Sequence, residues 1–213
     1  MSDARAEYPL FDDPVGYLEM RRGRGLAGGL KRYGERRILN RCLAGFPEIR
    51  VVCDAPCGPG RLFDYWRQRN ARIVGVDLSE SMVDAAMKNV ADSGSPGEVL
   101  HGDIFSLPSL LKEVPDLVAS VRFLYYFQRE KRLELLRQMR SVCGTGLLVQ
   151  YKTTDTLRGR RTFARGQRRS KTAPYYATVE EIREELAECG LKDIRVRPIG
   201  QLSDRVYASG LKA

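Results

Sequence analysis

The sequence predicts an α/β fold built on a mainly parallel sheet, and three observations support that prediction. Short apolar runs alternate with segments of helical periodicity along residues 50–151, as in a sheet whose strands are joined by helices. The runs at 71–77 and 116–121 are apolar through their centres, as expected for strands covered on both faces. The chain then ends in a helix followed by two strands, which predicts a sheet closed by an antiparallel hairpin.

Each element is predicted from its own pattern. Residues 1–20 carry turn formers and aromatics, 23–29 are glycine-rich and expected to be flexible, and 30–45 have helical spacing, so 1–45 is predicted to be an N-terminal helical arm or cap. The main domain is predicted over 46–213. Its strands are predicted at about 50–55, 71–77, 98–101, 116–121, 147–151, 193–198 and 205–210. Its helices are predicted at 60–70, from Ser79 or Ser81 to the break at 93–97, and at 129–142 and 178–189.

The size and composition fit a single soluble domain. The chain has 213 residues, of which 43% are hydrophobic and 30% charged, and it shows no apolar run of membrane-spanning length and no signal-peptide core. Five cysteines without framework spacing indicate a reducing compartment, so a cytoplasmic location is expected. Cys53 and Cys57 are spaced like a metal pair, but the chain has one histidine and no second pair nearby, so no metal site is expected.

The chain is organised around residues 51–62, where an apolar run ends in Asp54 and a tight turn precedes a helical pattern. Gly58 and Gly60 remove side chains where a backbone must approach a ligand closely, and the helix beginning near Arg61 aims its free N–H groups at the same place. The third glycine of a dinucleotide fingerprint would fall at Phe63. The pattern therefore favours a nucleotide ligand other than a dinucleotide.

This turn, D-x-P-C-G-P-G-R, resembles motif I of the class I S-adenosylmethionine (SAM) methyltransferases, with Pro56 in place of the usual glycine. The order of the elements resembles the Rossmann-like fold of the same family, which has seven strands and an antiparallel last strand. The resemblance covers about residues 40–213. It implies S-adenosyl-L-methionine as the cofactor and methyl transfer as the reaction.

Three acids close three successive predicted strands: Asp54, Asp77 and Asp103. Ligands of open α/β sheets bind beyond the carboxyl ends of the strands, and Asp77 follows the turn at the distance of a ribose-binding acid, roughly 20 residues. The resemblance assigns Asp77 to the ribose, Asp103 to the adenine amino group and Asp54 to the methionine end. The predicted cofactor set is Asp54, Ala55, Pro56, Gly58, Gly60, Asp77, Leu78, Met82, Asp103, Ile104 and Val121.

The residue that holds the methionine carboxylate is left open by the sequence. Arg61 either points away from the cofactor or takes that carboxylate. Tyr17, Arg21 and Arg22 of the N-terminal arm are the alternatives.

The acceptor is predicted to bind after the fourth strand, where the family lines its methyl-transfer site. Tyr125 and Tyr126 occupy this position and are the catalytic candidates. A tyrosine hydroxyl there orients an acceptor O–H or N–H, or acts as a base with a lowered pKa. The alternative is that the segment packs in the core. The [N/D]-P-P-[Y/F] motif of enzymes that methylate exocyclic amino groups of bases is absent, which disfavours that reaction.

The net charge of +9 is concentrated in two segments, 21–37 and 158–171, which hold fourteen of the 36 basic residues and one of the 27 acidic residues. The second segment lies in 153–177, which shows no clean periodicity and is predicted to be a basic substrate lid. Arginine outnumbers lysine six to one in it, which suits phosphate or carboxylate contacts. Its predicted substrate-binding residues are Arg160, Arg161, Arg168 and Arg169. The alternative is a solvated basic loop.

These patterns predict a SAM-dependent methyltransferase that methylates an O or N atom of an anionic small-molecule, sugar or lipid-linked acceptor, with peripheral membrane contact as an option. The alternative acceptor is RNA, with both basic segments as a phosphate track. Against RNA, no binding domain is added, and 158–171 holds one aromatic residue, Phe163. A SAM-binding protein without catalysis is the third alternative.

Overall fold

A computed structural model describes residues 13–16, 25–94, 96–166 and 174–213. The strands are β1 Val51–Asp54, β2 Arg72–Asp77, β3 Gly97–His101, β4 Leu117–Ser120, β5 Gly146–Lys152, β6 Leu191–Pro198 and β7 Arg205–Lys212. The helices are α1 Gly25–Cys42, α2 Phe63–Arg67, α3 Glu80–Ser93, α4 Leu107–Leu110, α5 Arg129–Val142, α6 Leu157–Gly166 and α7 Val179–Glu188. Two single turns of 3-10 helix lie at Ile104–Ser106 and Leu124–Tyr126.

The strands form one seven-stranded sheet in the order β3-β2-β1-β4-β5-β7-β6. The first five strands pair in parallel, whereas β7 runs antiparallel to β5 and to β6. The predicted α/β, Rossmann-like sheet with an antiparallel C-terminal strand is therefore confirmed. The strand order reverses between β1 and β4, and in such sheets the crevice beyond the carboxyl ends at that point is the usual ligand site.

Helices cover both faces of the sheet because side chains alternate along each strand. Val52 and Ile73 point to the face packed by α1 and α2, whereas Cys53, Val76 and Val118 point to the face packed by α5 and α7. Both sets of residues are almost fully buried. Among the described residues, no helix is both long and apolar enough to cross a membrane.

Three helices differ from the sequence-based prediction. Helix α1 begins at Gly25, inside the stretch expected to be flexible. Helix α2 is shorter than predicted, because the chain stays in a turn until Leu62. Helix α6 forms where no periodicity was evident. The pattern was not visible because the groups that anchor the helix are small or polar. The Thr156 hydroxyl donates to the Ser203 carbonyl at 2.6 Å, and Gly159 lies against the Thr153 carbonyl.

A buried ion pair joins α5 to α7 on one face of the sheet. Arg132 Nε donates to Glu185 Oε2 at 3.0 Å, and the Tyr151 hydroxyl donates to the same oxygen at 2.9 Å. Arg132 Nη1 donates to the Phe127 carbonyl at 2.8 Å. This network fixes the end of the turn that carries Tyr125 and Tyr126.

Candidate functional site

The turn after β1 is tied directly to the acid that ends β2. The backbone N–H of Gly58 donates to Asp77 Oδ2 at 2.7 Å, and the N–H of Ser79 donates to Asp77 Oδ1 at 3.1 Å. Gly58 has a φ of 54°, and no heavy atom lies within 4 Å of the place where a Cβ would stand. The turn therefore faces open space at the carboxyl edge of the sheet, beside a largely buried carboxylate.

The second glycine of the turn serves packing. Gly60 has a φ of 80°, and a Cβ there would lie 2.5 Å from the Phe63 ring. The same ring approaches Gly75 of β2, where a Cβ would meet it at 3.0 Å. Close contact between the helix and the sheet, which a third motif glycine usually allows, is thus achieved by Gly60 and Gly75 around Phe63.

The acid that ends β1 is deeply buried, with 2% of its surface exposed. Burial, and to a lesser degree the Asp77 carboxylate, raise the pKa of Asp54 to about 7 against the opposing effects of Arg61 and Trp66. Two acids therefore lie beneath one turn. A bound cation would favour the charged form of both.

Arg61, the residue after the turn, contacts the N-terminal helix. Its Nη1 lies 2.8 Å from Glu35 Oε2, and the Tyr207 hydroxyl donates to the other oxygen of Glu35. Burial alone would raise the pKa of Glu35, but Arg61, the Tyr207 hydrogen bond and Arg122 hold it below its usual value. The Nη1 group of Arg61 thus points toward α1. The other candidates, Tyr17, Arg21 and Arg22, lie outside the described residues.

The residues predicted to surround the adenine lie at the ends of β2 and β3. Asp103 caps the first 3-10 turn by accepting the N–H of Phe105 at 3.0 Å. Ile104 and Met82 are buried and Leu78 is half-buried. Ser79, rather than Ser81, caps α3. The structure thus brings Asp54, Asp77 and Asp103 to the same edge of the sheet, with Ala55, Pro56 and Val121 at the ends of β1 and β4.

The two candidate catalytic tyrosines lie in the turn after β4. Tyr125 is buried and Tyr126 half-buried, and their ring centroids are 4.8 Å apart. The backbone N–H of Tyr175, from the end of the predicted lid, donates to the Tyr125 carbonyl at 2.7 Å. The segment 153–177 therefore reaches the turn after β4.

A cluster at the end of β5 was not predicted from the sequence. Lys152 Nζ lies 3.0 Å from Asp204 Oδ2, which also accepts the Tyr176 hydroxyl at 2.9 Å. The same ammonium lies 5.5 Å from the centroid of the Tyr125 ring and 5.4 Å from that of Tyr176. The antiparallel pairing of β5 with β7 creates this cluster, because it places Lys152 opposite Arg205 and next to Asp204.

Residues 157–166 of the predicted lid form helix α6. Arg160 and Arg161 are exposed on it, and Arg160 Nε donates to the Thr154 carbonyl at 3.4 Å. The Phe163 ring packs edge-on against Tyr176, with centroids 5.5 Å apart. Arg168 and Arg169 lie outside the described residues.

All five cysteines are buried free thiols. Burial and neighbouring acids raise the pKa of Cys57 well above its usual value. Within the described ranges, no group of three or more histidine, cysteine or acidic residues is placed to hold a metal ion.

Comparison with known proteins gives one family match. Residues 52–147 match a family described as "Methyltransferase domain". Malonyl-[acyl-carrier protein] O-methyltransferase of Salmonella typhimurium is 36% identical over 61 residues, which are 29% of this chain and 23% of that protein. The aligned part is thus less than a quarter of this curated relative.

Solved structures share the fold over most of the chain. Magnesium protoporphyrin IX methyltransferase from Synechocystis PCC 6803, crystallised with S-adenosylhomocysteine (SAH), superposes with a TM-score of 0.70 at 20% identity and covers 93% of this chain and 95% of that one. Human N-acetylserotonin methyltransferase, in complex with SAM, gives 0.64 at 20% identity, over 92% and 59%.

Proposed function

We propose that this chain is a class I SAM-dependent methyltransferase and that it transfers a methyl group to an O or N atom of an anionic small-molecule acceptor. The observation that carries the proposal is the acid pair Asp54 and Asp77 beneath the open turn at Gly58. An acid-lined turn suits a cofactor that is cationic at its sulfonium and amino groups, rather than a phosphate. When bound, SAM supplies an electrophilic methyl group.

The residues at the edge fit such a cofactor. Asp77 lies at the end of β2 with both oxygens accepting backbone N–H groups, which holds the carboxylate rigid for a ribose diol. Asp103, in the proposed role, receives the adenine amino group, and Ile104, Leu78 and Met82 supply apolar contacts to the ring.

Asp54 would face the methionine end beside Arg61. The remaining members of the proposed cofactor set are Ala55, Pro56, Gly58, Gly60 and Val121. Residues 1–45 remain proposed as an N-terminal arm or cap on this domain. The ion pair between Glu35 and Arg61 supports that proposal, because it joins α1 to the cofactor turn.

The acceptor is proposed to enter between the turn that carries Tyr125 and Tyr126 and the basic segment 153–177. The main support is geometric, since Tyr175 ties this segment to Tyr125 and Tyr176 ties it to Asp204, directly before β7. Alignment of acceptor and methyl donor supplies much of the acceleration in such a displacement, so the tyrosines would act first by orientation. Arg160, Arg161, Arg168 and Arg169 would hold the anionic part of the acceptor.

The test has two stages. Calorimetry of the full chain with SAM, SAH and NAD is expected to show binding of the first two and no useful NAD binding. Incubation with methyl-labelled SAM and cell extract, separated into RNA, lipid, protein and small-molecule fractions, is expected to place the label in the small-molecule fraction. Label in the RNA fraction would contradict the small-molecule proposal and identify RNA as the acceptor. SAM binding with no transfer to any fraction would leave a cofactor-binding protein.

A further inference from the structure

The acceptor side of the edge carries more positive than negative charge. Lys152 and Arg205 both lower the pKa of Asp204, and Arg158 of α6 acts on the neighbouring Tyr176. Two cations therefore act on the Asp204 carboxylate, and a third acts on Tyr176 beside it, where β5, β7 and the lid segment meet. The Lys152 and Asp204 side chains are 16% and 10% exposed, so this charge is only partly screened by water.

Lys152 is held in a fixed position. The ammonium has three N–H donors, one of which reaches Asp204, and its position is further restricted by the rings of Tyr125 and Tyr176. An ammonium at the carboxyl end of a strand, beside the candidate catalytic tyrosine, is well placed to pair with a carboxylate.

The groups around it are poor proton acceptors. Burial raises the pKa of Asp204 on its own, but the hydrogen bond and charge of Lys152, with Tyr176 and Arg205, hold it below its usual value. Burial and the Asp204 charge raise the pKa of the Tyr176 hydroxyl, so its phenolate is disfavoured. Lys152, Arg158 and Arg205 are cations. In the described part of this cluster, cations and paired groups are suited to receiving an anion rather than to removing a proton.

We propose that the methylated group of the acceptor is a carboxylate, received against Lys152. This inference rests on the proposed methyl transfer and names its substrate class. A carboxylate oxygen is already ionised at neutral pH and needs no base. It would form the new C–O bond with a lone pair while the methyl–sulfur bond breaks and its electron pair stays on sulfur. The products are a methyl ester and a neutral thioether, and no proton is transferred.

The bond type is tested with methyl-tritiated SAM. The full chain is incubated with a small-molecule extract and with malonyl, succinyl and glutaryl thioesters of N-acetylcysteamine. The same thioesters with the free carboxylate converted to an amide are the controls. Mild alkali then releases a methyl ester as volatile methanol but leaves methyl ethers and N-methyl groups intact. Volatile label is expected. Alkali-stable label would overturn the carboxylate inference and leave the methyl transfer standing, whereas SAM binding without any label would overturn the transfer itself.

The role of Lys152 is tested by measuring the acceptor KM and the SAM Kd separately, with the best carboxylate acceptor from that panel. Losing a charge-assisted contact in K152M is expected to raise the acceptor KM about 10- to 100-fold, with the SAM Kd unchanged. K152R should recover part of the loss, and K112M, which removes an exposed lysine before β4, should have no effect. In the double variant K152M/D204N the acid is removed together with its partner, so no unpaired carboxylate remains. This variant provides the test if K152M alone does not fold. An unchanged KM in a folded K152M or in the double variant would overturn the assignment of Lys152.

Discussion

Arg61 and Glu35 form an ion pair between the cofactor turn and the N-terminal helix, with 2.8 Å between Nη1 and Oε2. Both side chains are less than one-fifth exposed, and Tyr207 donates to the same carboxylate. Helix α1 is therefore held to the domain through the residue that follows the turn. The ion pair therefore links α1 to the turn that follows β1.

Removing the carboxylate of this pair should destabilise the protein. In Glu35→Ala, Arg61 remains largely buried without its acid and near the charge of Arg122, so the free energy of unfolding should fall by about 3 kcal/mol. Urea denaturation measures this. Glu48→Ala is the control, since its partner is Arg50 in an exposed pair expected to contribute less than about 1 kcal/mol. Equal losses in the two variants would contradict the prediction.

Asp77 should contribute strongly to cofactor affinity. Asp77→Ala removes a charge-assisted contact of roughly 1.5–3 kcal/mol, so SAM should bind about 10- to 100-fold more weakly by calorimetry. Asp84→Ala, an exposed acid on α3, serves as the matched control. Because Asp77 also accepts the N–H of Gly58, thermal unfolding should be recorded alongside. Unchanged affinity in a folded Asp77→Ala protein would remove this residue from the site.

Asp54 should make cofactor binding depend on pH around neutrality. Burial raises its pKa to about 7, so part of the population is protonated in the cofactor-free protein at neutral pH. The cationic cofactor favours the carboxylate, so SAM affinity should rise from pH 6 to pH 8 with release of a proton. Calorimetry in buffers of different ionisation enthalpy measures that proton. Asp54→Asn is the control variant. Its SAM affinity still reflects the titration of SAM itself, but no longer the titration of residue 54.

The same residue predicts a trend in stability. The unfolded chain ionises Asp54 near pH 4, below the folded value, so this acid destabilises the fold progressively as pH rises from about 4 to 7. Asp54→Asn should therefore gain stability relative to the wild type between pH 4 and pH 7 in denaturant titrations. A constant difference across that range would show that Asp54 is not the titrating group.

The strands and their succession along the chain could be predicted from the sequence because their signal is local. Apolar runs ending in Asp54 and Asp77 fix both the strands and the edge at which they end, and the final helix–strand–strand pattern predicts the antiparallel β7. Helix α6 could not be predicted, since the buried residues at its start are Thr156, which precedes it, and Gly159, rather than an apolar stripe.

The Lys152 cluster was missed for a related reason. Lys152 and Asp204 lie 52 positions apart in the sequence and meet only through the antiparallel pairing of β5 and β7. Neither residue belongs to a motif. A register prediction for the closing strands would have been needed to bring them together.

Substitution of Tyr125 or Tyr126 should affect turnover without affecting cofactor binding. If one of them orients or deprotonates the acceptor, its Phe variant should lose turnover while SAM affinity stays nearly unchanged. Tyr65→Phe is a matched control, because its hydroxyl donates to Asn40 at 2.9 Å, away from the proposed acceptor entry. Wild-type turnover in both Phe variants would assign the pair to packing, which the burial of Tyr125 would then explain.

The arginines of the basic segment should act on the acceptor alone. Changing Arg160, Arg161, Arg168 and Arg169 to Gln removes four cations from the proposed lid, so the acceptor KM should rise while the SAM Kd stays constant. A control with the same loss of charge changes Arg50, Lys88, Lys112 and Arg137 to Gln, all exposed and outside the lid. The dependence of activity on salt distinguishes the acceptors: for RNA the log–log slope should fall by roughly one unit per lost phosphate contact, whereas a small anion gives a much shallower slope throughout. Equal acceptor kinetics in the two quadruple variants would show that this segment does not hold the substrate.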